Sequence, residues 1–583
     1  MATKINHIAL ICLCVFVGGS LFGQHVQLQS FPKNLQLYPR NKTTNQAKVE
    51  IKGILDSTSL YTHLVSNVYK NGLLWQTKSQ PIAQNNPNNP RPFNLFHHID
   101  ADTVLYRFEL IGYQAATQNL LLAQADSVVA GDVFLVEGQS NASGLNYGNC
   151  PNANLCDKRY LYVRSFGYRG DDTLQTRNRT QWSVAQNGNN WSGNGFIGSW
   201  AMFLANQINK QYAMPVAIVS GAMPGNPMNY FLPNAANPSD LNTNYGRLLY
   251  RCKQAKIDSN VSGLFNYQGE NDCSQPNSYL MGLQTLKTAW QRDYHNLSQF
   301  FIFQMGNIAP ICPDAGLEVR ERQRLFANRN PNNVHLIGTT ANGFLHIDSI
   351  HYLMEGNKKL GQDAFYQLQK TIYGSNLSNL ESPKPLVAYF LIPNRLVLEL
   401  ENTLDRINID NHLAVANDFV LEGTTAAVQT IVLLGNNKIL LECTQNAYLA
   451  SGLTYQGHAG NASGWVQNAN KIGLVAFKAL PISANPTLQN LESQTQHNIR
   501  FVVYPNPSTN LLYVAPNPQP TDDQPAVDIL IIDAMGKNIL TKKNIKMPQN
   551  QPITIDLKPL DKGVYSLIIQ NEKMFEVKKI IKH

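Results

Sequence analysis

The stretch Val133-Phe134-Leu135-Val136-Glu137-Gly138-Gln139-Ser140-Asn141 joins an apolar run to a short polar turn. A brief run of β-branched and aromatic residues with a glycine behind it predicts a buried strand that ends near Gly138. A serine on the turn after such a strand lies at the carboxyl edge of a sheet, where open α/β sheets bind their ligands. Ser140 is therefore the first candidate functional residue.

Helical and strand patterns alternate after this turn. Helices are predicted over residues 198–212, 245–257, 279–294, 318–327 and 354–372, and strands over residues 216–219, 263–267, 300–305 and 334–338. Strands that alternate with helices through short links form parallel, doubly wound sheets with right-handed crossovers. The middle of the chain is therefore predicted to be an α/β domain with a parallel sheet.

A chain of 583 residues is too long for one core, so several domains are expected. Short strands separated by turns predict β-sandwich domains on both sides of the α/β domain. The predicted organisation is a signal peptide over 1–23, a β-sandwich over 25–126, the α/β domain over 127–375, a second β-sandwich over 386–482, a linker over 483–498 and a small β domain over 499–583.

Composition excludes some classes of protein. A hydrophobic content of 43% and a charged content of 15% are typical of folded chains rather than disordered ones. The net charge of +8 is spread without a Lys/Arg run, so a nucleic-acid partner is not expected.

The amino terminus has the pattern of a signal peptide. Lys4 precedes an apolar stretch over residues 8–16, followed by small residues and a plausible cleavage site near Gly23-Gln24. No later run is long and apolar enough to cross a bilayer. The sequence thus predicts an exported protein with no transmembrane segment once the signal is removed.

Three further polar segments each follow a predicted strand: Ala222-Met223-Pro224-Gly225-Asn226-Pro227, Gln268-Gly269-Glu270-Asn271-Asp272 and Asp348-Ser349-Ile350-His351. Acyl transfer needs a nucleophilic hydroxyl, a base, a group that orients the base and donors for the oxyanion. Ser140 fits the nucleophile, His351 the base and Asp348 the orienting carboxylate. The Ser140 N–H, the backbone at Gly225 and the Asn271 amide are candidate oxyanion donors.

Six cysteines remain after the signal peptide, without the paired spacing of a zinc site. In an oxidising compartment, Cys150 and Cys156 are close enough in sequence to close a short loop. A bond between Cys273 and Cys312 would tie together two loops of the candidate site. Free buried thiols are the alternative for both pairs, and the pairing stays open.

The ordered polar blocks resemble those of SGNH hydrolases. Gly131-Asp132 with Gly138-Gln139-Ser140-Asn141, the glycine loop, Gly269-Glu270-Asn271-Asp272 and Asp348-x-x-His351 look most like the sialate O-acetylesterase and carbohydrate acetylesterase branch. The resemblance, over about residues 130–375, implies a flavodoxin-like sheet, no cofactor and the removal of O-acetyl groups from a glycan substrate. By motif, Ser140 is the nucleophile, Gly225 and Asn271 are oxyanion donors, and Asp348 and His351 complete the triad.

Some roles stay open. The loop around Gly225 lacks the Trp-Gly-Gly common in that branch, so the Gly221 and Ala222 N–H groups are alternative oxyanion donors. Gln139 and Glu270 are candidate substrate contacts, although Gln139 can equally fix the turn. Asp348 can instead cap the helix that follows it.

The end of the chain resembles the sorting domain of the type IX secretion system. The motifs Val503-Tyr504-Pro505-Asn506-Pro507, Ile532-Asp533-Ala534-Met535-Gly536-Lys537 and Leu560-Asp561-Lys562-Gly563-Val564-Tyr565 occur in order over about the last 85 residues. The resemblance implies passage through the outer membrane, with the secretion machinery as a partner, and a secreted or cell-surface location.

Three functions are consistent with these motifs. The first is a secreted serine esterase that deacetylates glycans through an acyl-serine intermediate. The second is a glycan-binding or surface protein whose hydrolase domain is secondary or inactive. The third keeps the mechanism but acts on esters that are not carbohydrates, and the absence of a long apolar lid segment near Ser140 argues against long-chain lipids.

Overall fold

The computed structural model describes residues 26–56, 59–83, 90–114, 119–145, 159–187, 191–308, 311–342, 348–457, 464–483, 501–516, 526–533, 538–546, 552–571 and 574–583. The predicted signal peptide, nearly all of the predicted linker over 483–498, and the pair Cys150 and Cys156 lie outside these residues.

The first part of the chain forms sheets that are mostly antiparallel. Its strands are β1 (Val26–Ser30), β2 (Leu37–Pro39), β3 (Gln46–Leu55), β4 (Tyr61–Lys70), β5 (Leu73–Pro81), β6 (Arg91–Asp100), β7 (Tyr106–Gln114) and β8 (Leu120–Gly138). One sheet has the order β1-β3-β6, and β5, β4, β7 and the start of β8 pair in sequence. Alternate residues of β3 are buried, the pattern of a strand with one face on a core.

β8 is one long strand that belongs to two sheets. Its first half pairs antiparallel with β7, and residues 132–138 pair in parallel with neighbours on both sides. All residues from Val128 to Gly138 are buried, and no turn interrupts them. The predicted boundary between residues 126 and 127 therefore falls inside a strand, because the apolar run of the α/β domain continues the preceding strand directly.

The middle of the chain alternates strands and helices. The strands are β9 (Arg159–Phe166), β10 (Tyr168–Arg169), β11 (Trp182–Gln186), β12 (Gly193–Asn194), β13 (Val216–Ser220), β14 (Gly263–Tyr267), β15 (Phe300–Phe303) and β16 (Val334–Ile337). The α-helices are Ser140–Ser143, Thr173–Asn178, Ser199–Tyr212, Asn244–Ala255, Pro276–Asp293, Pro313–Arg329 and Met354–Thr371, and the 3₁₀ turns are Met228–Phe231, Glu270–Asp272 and Thr340–Asn342. Each helix and strand that the sequence predicts here overlaps one of these elements.

A parallel sheet lies at the centre of this region, in the order β9-β13-β8-β14-β15-β16. Local sequence explains where its helices begin: Thr243 Oγ1 accepts from the Gly246 N–H at 3.0 Å, and Pro276 and Pro313 occupy first turns. Because the strands are parallel, the turns after β8, β13 and β14 meet at one edge of the sheet. These turns carry three of the four polar segments singled out from the sequence, and the fourth lies between β16 and the helix Met354–Thr371.

Gly138 connects β8 to the turn that carries Ser140. Its φ is +125°, and a Cβ there would lie 2.1 Å from the Tyr267 carbonyl oxygen. L-residues rarely adopt this conformation, and the close approach of β14 leaves no room for a side chain. A glycine is therefore required for Ser140 to leave the sheet in this direction.

We expect Gly138→Ala to lower the free energy of unfolding of the central region by about 3 kcal/mol or more, through both strain and overlap. Gly225→Ala is the matched control, because Gly225 also has a positive φ of +72° but nothing lies within 4 Å of its Cβ position. Its cost is about 1 kcal/mol. Urea unfolding followed by tryptophan fluorescence, to which the buried Trp200 and Trp290 contribute, measures both. Equal costs would contradict this account of Gly138.

In the described residues after 371, the chain forms strands and the short helix His412–Ala416. The strands are β17 (Pro385–Ile392), β18 (Arg395–Leu400), β19 (Ile407–Ile409), β20 (Phe419–Glu422), β21 (Val428–Leu433), β22 (Lys438–Cys443), β23 (Gly452–Tyr455), β24 (Val466–Asn468), β25 (Phe477–Ser483), β26 (Phe501–Tyr504), β27 (Leu511–Pro516), β28 (Val527–Ile532), β29 (Asn538–Ile545), β30 (Ile553–Asp556), β31 (Gly563–Asn571) and β32 (Met574–Lys582). β17–β25 and β26–β32 bury separate hydrophobic clusters.

The first of these clusters is attached to the central region. The Gln304 side chain after β15 accepts from the Ala476 N–H at 2.8 Å and donates to the Ala476 carbonyl at 2.9 Å. Arg320 donates to the Gln456 carbonyl at 2.6 Å.

In the described residues, no helix is long and apolar enough to span a membrane.

Candidate active site

Ser140 begins the short helix that follows β8, with Gln139 as the residue between strand and helix. The Gln139 N–H donates to the Tyr267 carbonyl at 2.9 Å, which holds the turn against the end of β14. Ser140 is 3% exposed. The turn thus places the hydroxyl at the carboxyl edge of the sheet, as the sequence predicts.

His351 and Asp348 lie next to this hydroxyl although they are more than 200 residues away in the chain. His351 Nε2 is 2.8 Å from Ser140 Oγ. On the other side of the ring, His351 Nδ1 is 2.6 Å from Asp348 Oδ2. The structure therefore joins serine, histidine and aspartate in one hydrogen-bonded chain, the geometry of a catalytic triad.

Asp348 is held by the backbone as well as by the imidazole. Its Oδ1 accepts from the Ile350 N–H at 3.0 Å and from the His351 N–H at 2.8 Å. Partial burial raises the pKa of Asp348, but the hydrogen bonds from His351 and Ile350 together outweigh burial and hold the pKa below its usual value. The carboxylate is therefore ionised at neutral pH and is an acceptor toward Nδ1.

The two predicted oxyanion segments contact each other. Asn271 Nδ2 donates to the Gly225 carbonyl at 2.6 Å, and both residues are exposed. The alternative donors earlier in the loop are engaged within the protein: the Gly221 N–H donates to Val136, and the Ala222 N–H donates to Ser220 Oγ. The role of the Gly225 N–H as an oxyanion donor stays a prediction.

Gln139 and Glu270 are both buried rather than facing open solvent. Gln139 Oε1 lies 3.4 Å from the N–H groups of Gly269 and Asn271, so it braces the turn after β14. Glu270 Oε1 accepts from Asn141 Nδ2 at 2.8 Å. A contact of either side chain with substrate stays a prediction.

Burial raises the pKa of Glu270 to about 7, and the hydrogen bond from Asn141 opposes this rise. Asp272, two residues on, accepts from the Met228 N–H at 2.9 Å and from Gln268. Both carboxylates therefore accept hydrogen bonds from protein groups. This argues against Glu270 and Asp272 as the two catalytic carboxylates of a glycosidase, which must lie on either side of a sugar bond.

A disulfide joins Cys273 to Cys312, with 6.4 Å between the Cα atoms. Cys273 directly follows the Glu270–Asp272 turn, and Cys312 precedes the helix Pro313–Arg329. The bond links the turn that carries Asn271 to that helix. Cys252 and Cys443 are free and buried.

Asn141 is the residue whose place the sequence did not reveal. The motif included it, but only the structure shows its amide contacting both Glu270 and the Ile350 carbonyl, at 2.8 and 3.1 Å. The signal available in the sequence was its position directly after the candidate nucleophile.

Comparison with known families agrees with this geometry. Residues 130–370 match the model of the family described as carbohydrate esterase, sialic acid-specific acetylesterase. The central region is similar to this family over these residues. Residues 502–583 match the secretion system C-terminal sorting domain, so the protein is a secreted or cell-surface protein exported through the outer membrane.

A solved carbohydrate acetylesterase from Xanthomonas citri is similar to this chain, with a TM-score of 0.53 and 15% identity over 78% of this chain and 99% of that chain. This likeness shows a shared fold. A protein from Arabidopsis thaliana matches with a TM-score of 0.33 and 16% identity over 41% of this chain and 98% of that chain. No curated protein matches the chain.

Proposed function

We propose that the protein is a secreted serine esterase that removes O-acetyl groups from carbohydrates through an acetyl-Ser140 intermediate. The observation that carries the proposal is the hydrogen-bonded chain from Ser140 Oγ through His351 to Asp348. The family match of residues 130–370 supports acetylated carbohydrates as the class of substrate.

In the first step Ser140 Oγ attacks the acetyl carbonyl while His351 Nε2 takes the hydroxyl proton. Asp348 stabilises the imidazolium that forms and keeps Nδ1 protonated. The tetrahedral intermediate collapses as His351 returns the proton to the sugar oxygen, which leaves as a hydroxyl. Water then attacks acetyl-Ser140 with His351 as base, and acetate leaves with the serine restored.

The oxyanion is stabilised by the Ser140 and Gly225 N–H groups and by the Asn271 amide. An asparagine amide has two N–H bonds, and one of those on Asn271 donates to the Gly225 carbonyl. In this proposal the second N–H donates to the oxyanion. The contact between Asn271 and Gly225 fixes the spacing of these two donors before substrate binds.

We expect Asn271→Ala to lower kcat by about 10²- to 10³-fold, because the lost donor acts on charge that develops only in the transition state. KM for 4-nitrophenyl acetate should change little. Asn229→Ala, which removes another exposed amide from a neighbouring turn, is the matched control with wild-type kinetics. A kcat for Asn271→Ala within a few-fold of wild type would remove Asn271 from the oxyanion site.

We further propose that the central domain is an SGNH hydrolase with a flavodoxin-like sheet, preceded by a β-sandwich region that shares β8 with it and followed by a β-sandwich domain over 386–482. The parallel order β9-β13-β8-β14-β15-β16 supports the first part. The separate core of β17–β25 supports a distinct domain after the esterase. Because β8 continues from the first region into the central sheet, those two regions form a joint unit rather than independently folding domains.

The length of the acyl chain tests the acetylesterase assignment. A series of 4-nitrophenyl esters from acetate to long-chain acids should show the highest kcat/KM for acetate. A preference for long chains would favour an esterase of lipid substrates instead. The same series run on Ser140→Ala separates enzymatic hydrolysis from background.

A further inference from the structure

Glu270 is a buried carboxylate beside the triad for which the proposed mechanism has no role. It lies in the 3₁₀ turn after β14, one residue before Asn271, and is 7% exposed. Its Oε1 accepts from Asn141 Nδ2 at 2.8 Å. Asn141 directly follows Ser140, so the carboxylate contacts the serine turn from the side of β14.

Asn141 uses its amide to join two segments. The same Nδ2 that donates to Glu270 also donates to the Ile350 carbonyl at 3.1 Å. An NH₂ group has two hydrogens, so it can serve both acceptors at once. Both partners accept through oxygen, so the amide nitrogen of Asn141, and not its oxygen, faces them. The hydrogen bond to Glu270 helps to fix this orientation of the Asn141 side chain.

The Ile350 carbonyl belongs to the segment that carries the other triad residues. Ile350 immediately precedes His351, and the N–H groups of Ile350 and His351 both bind Asp348 Oδ1. Residues 348–351 therefore form one hydrogen-bonded turn. A hydrogen bond to the Ile350 carbonyl thus acts on the whole turn and sets its distance from Ser140.

We propose that Glu270 is a positioning residue of the triad: through Asn141 it holds the Asp348–His351 turn against the serine turn. This inference rests on the proposed function. Reacting groups must be aligned closely, and a displacement of about 1 Å can cost about 10²-fold in rate. The role needs an acceptor oxygen at Glu270 and not a negative charge, because a neutral carboxyl also accepts through its carbonyl oxygen.

The test compares Glu270→Ala with Glu270→Gln. Glu270→Ala removes the acceptor, and we expect kcat for 4-nitrophenyl acetate to fall about 10- to 100-fold with little change in KM. Glu270→Gln keeps an oxygen that accepts from Asn141, so kcat should stay within a few-fold of wild type. A glutamine variant as impaired as the alanine variant would overturn the proposal, since the charge rather than the hydrogen bond would then matter.

Asn141→Ala provides the second arm. It breaks the same connection from the other side, so it should lower kcat as much as Glu270→Ala, and the double variant should be no worse than either single one. Additive losses would overturn the proposal, because the two residues would then act separately. A raised KM with unchanged kcat in Glu270→Ala would assign Glu270 to substrate binding instead and also overturn it.

Glu137→Ala is the matched control for the loss of a buried carboxylate. Glu137 is fully buried near the end of β8, but its Oε2 accepts from Trp290 and not from the serine turn. It should lower the melting temperature without lowering kcat per folded molecule, and a kcat loss equal to that of Glu270→Ala would count against a specific role for Glu270. Ser140→Ala in the same assay separates the two claims: wild-type activity there rejects the proposed function, whereas an inactive Ser140→Ala with an unimpaired Glu270→Ala rejects this inference alone.

Discussion

Ser140→Ala should lower kcat for 4-nitrophenyl acetate by about 10⁶-fold, the loss typical of serine hydrolases that lose their nucleophile. Without Oγ, His351 has no proton to take from the protein and no acyl-enzyme can form. The residual rate comes only from binding and the oxyanion donors. Steady-state kinetics on the purified full-length chain measures the effect.

Ser143→Ala is the control for this variant. Ser143 is a buried serine on the same short helix, and it is one turn away from the nucleophile. It should keep the wild-type kcat, and circular dichroism should show that both variants are folded. Equal activity of Ser140→Ala and Ser143→Ala would show that hydrolysis does not use Ser140.

Asp348→Asn should lower kcat by about 10³- to 10⁴-fold. Asp348 Oδ1 accepts two backbone N–H groups, so the asparagine oxygen must take that position. The NH₂ group then faces His351 Nδ1, which has to become an acceptor. The proton moves to Nε2, and the imidazole can no longer take the proton of Ser140.

The comparison for Asp348→Asn is Asp240→Asn. Asp240 Oδ1 also accepts a backbone N–H, from Asn242 at 3.0 Å, in an exposed turn that carries no histidine. This control should keep full activity. A kcat for Asp348→Asn within about tenfold of wild type would show that His351 does not depend on Asp348 for its tautomer, and that Asp348 mainly fixes the turn.

The sequence predicts those candidate site residues that are recognised by their type and by their position directly after a strand. Ser140, Gly225 and Asn271 each follow a short apolar run, and parallel strands bring such ends to one edge. Asp348 and His351 were predictable because their spacing of three suits a turn in which one carboxylate binds both the ring and the backbone. The local sequence pattern and the sheet topology together are therefore enough to predict the residues of the candidate triad.

The remaining features depend on packing between distant segments. The extension of β8 through the boundary at 126 could not be read from the sequence, because a continuous apolar run has no signal for a change of partner strand. The contact between Glu270 and Asn141 joins residues 129 apart in sequence. Polar side chains at two strand ends do not reveal whether they face substrate or each other, so a role in substrate contact and a role in positioning look alike in sequence.

The most direct test of the central claim is acetate release from acetylated xylan and from O-acetylated sialoglycan, with wild type and Ser140→Ala compared. Wild type should release acetate from at least one of these glycans, and Ser140→Ala should release none above background. The glycan that responds identifies the substrate class. No release from either glycan by wild type, or equal release by Ser140→Ala, would contradict the assignment of a serine acetylesterase of carbohydrates.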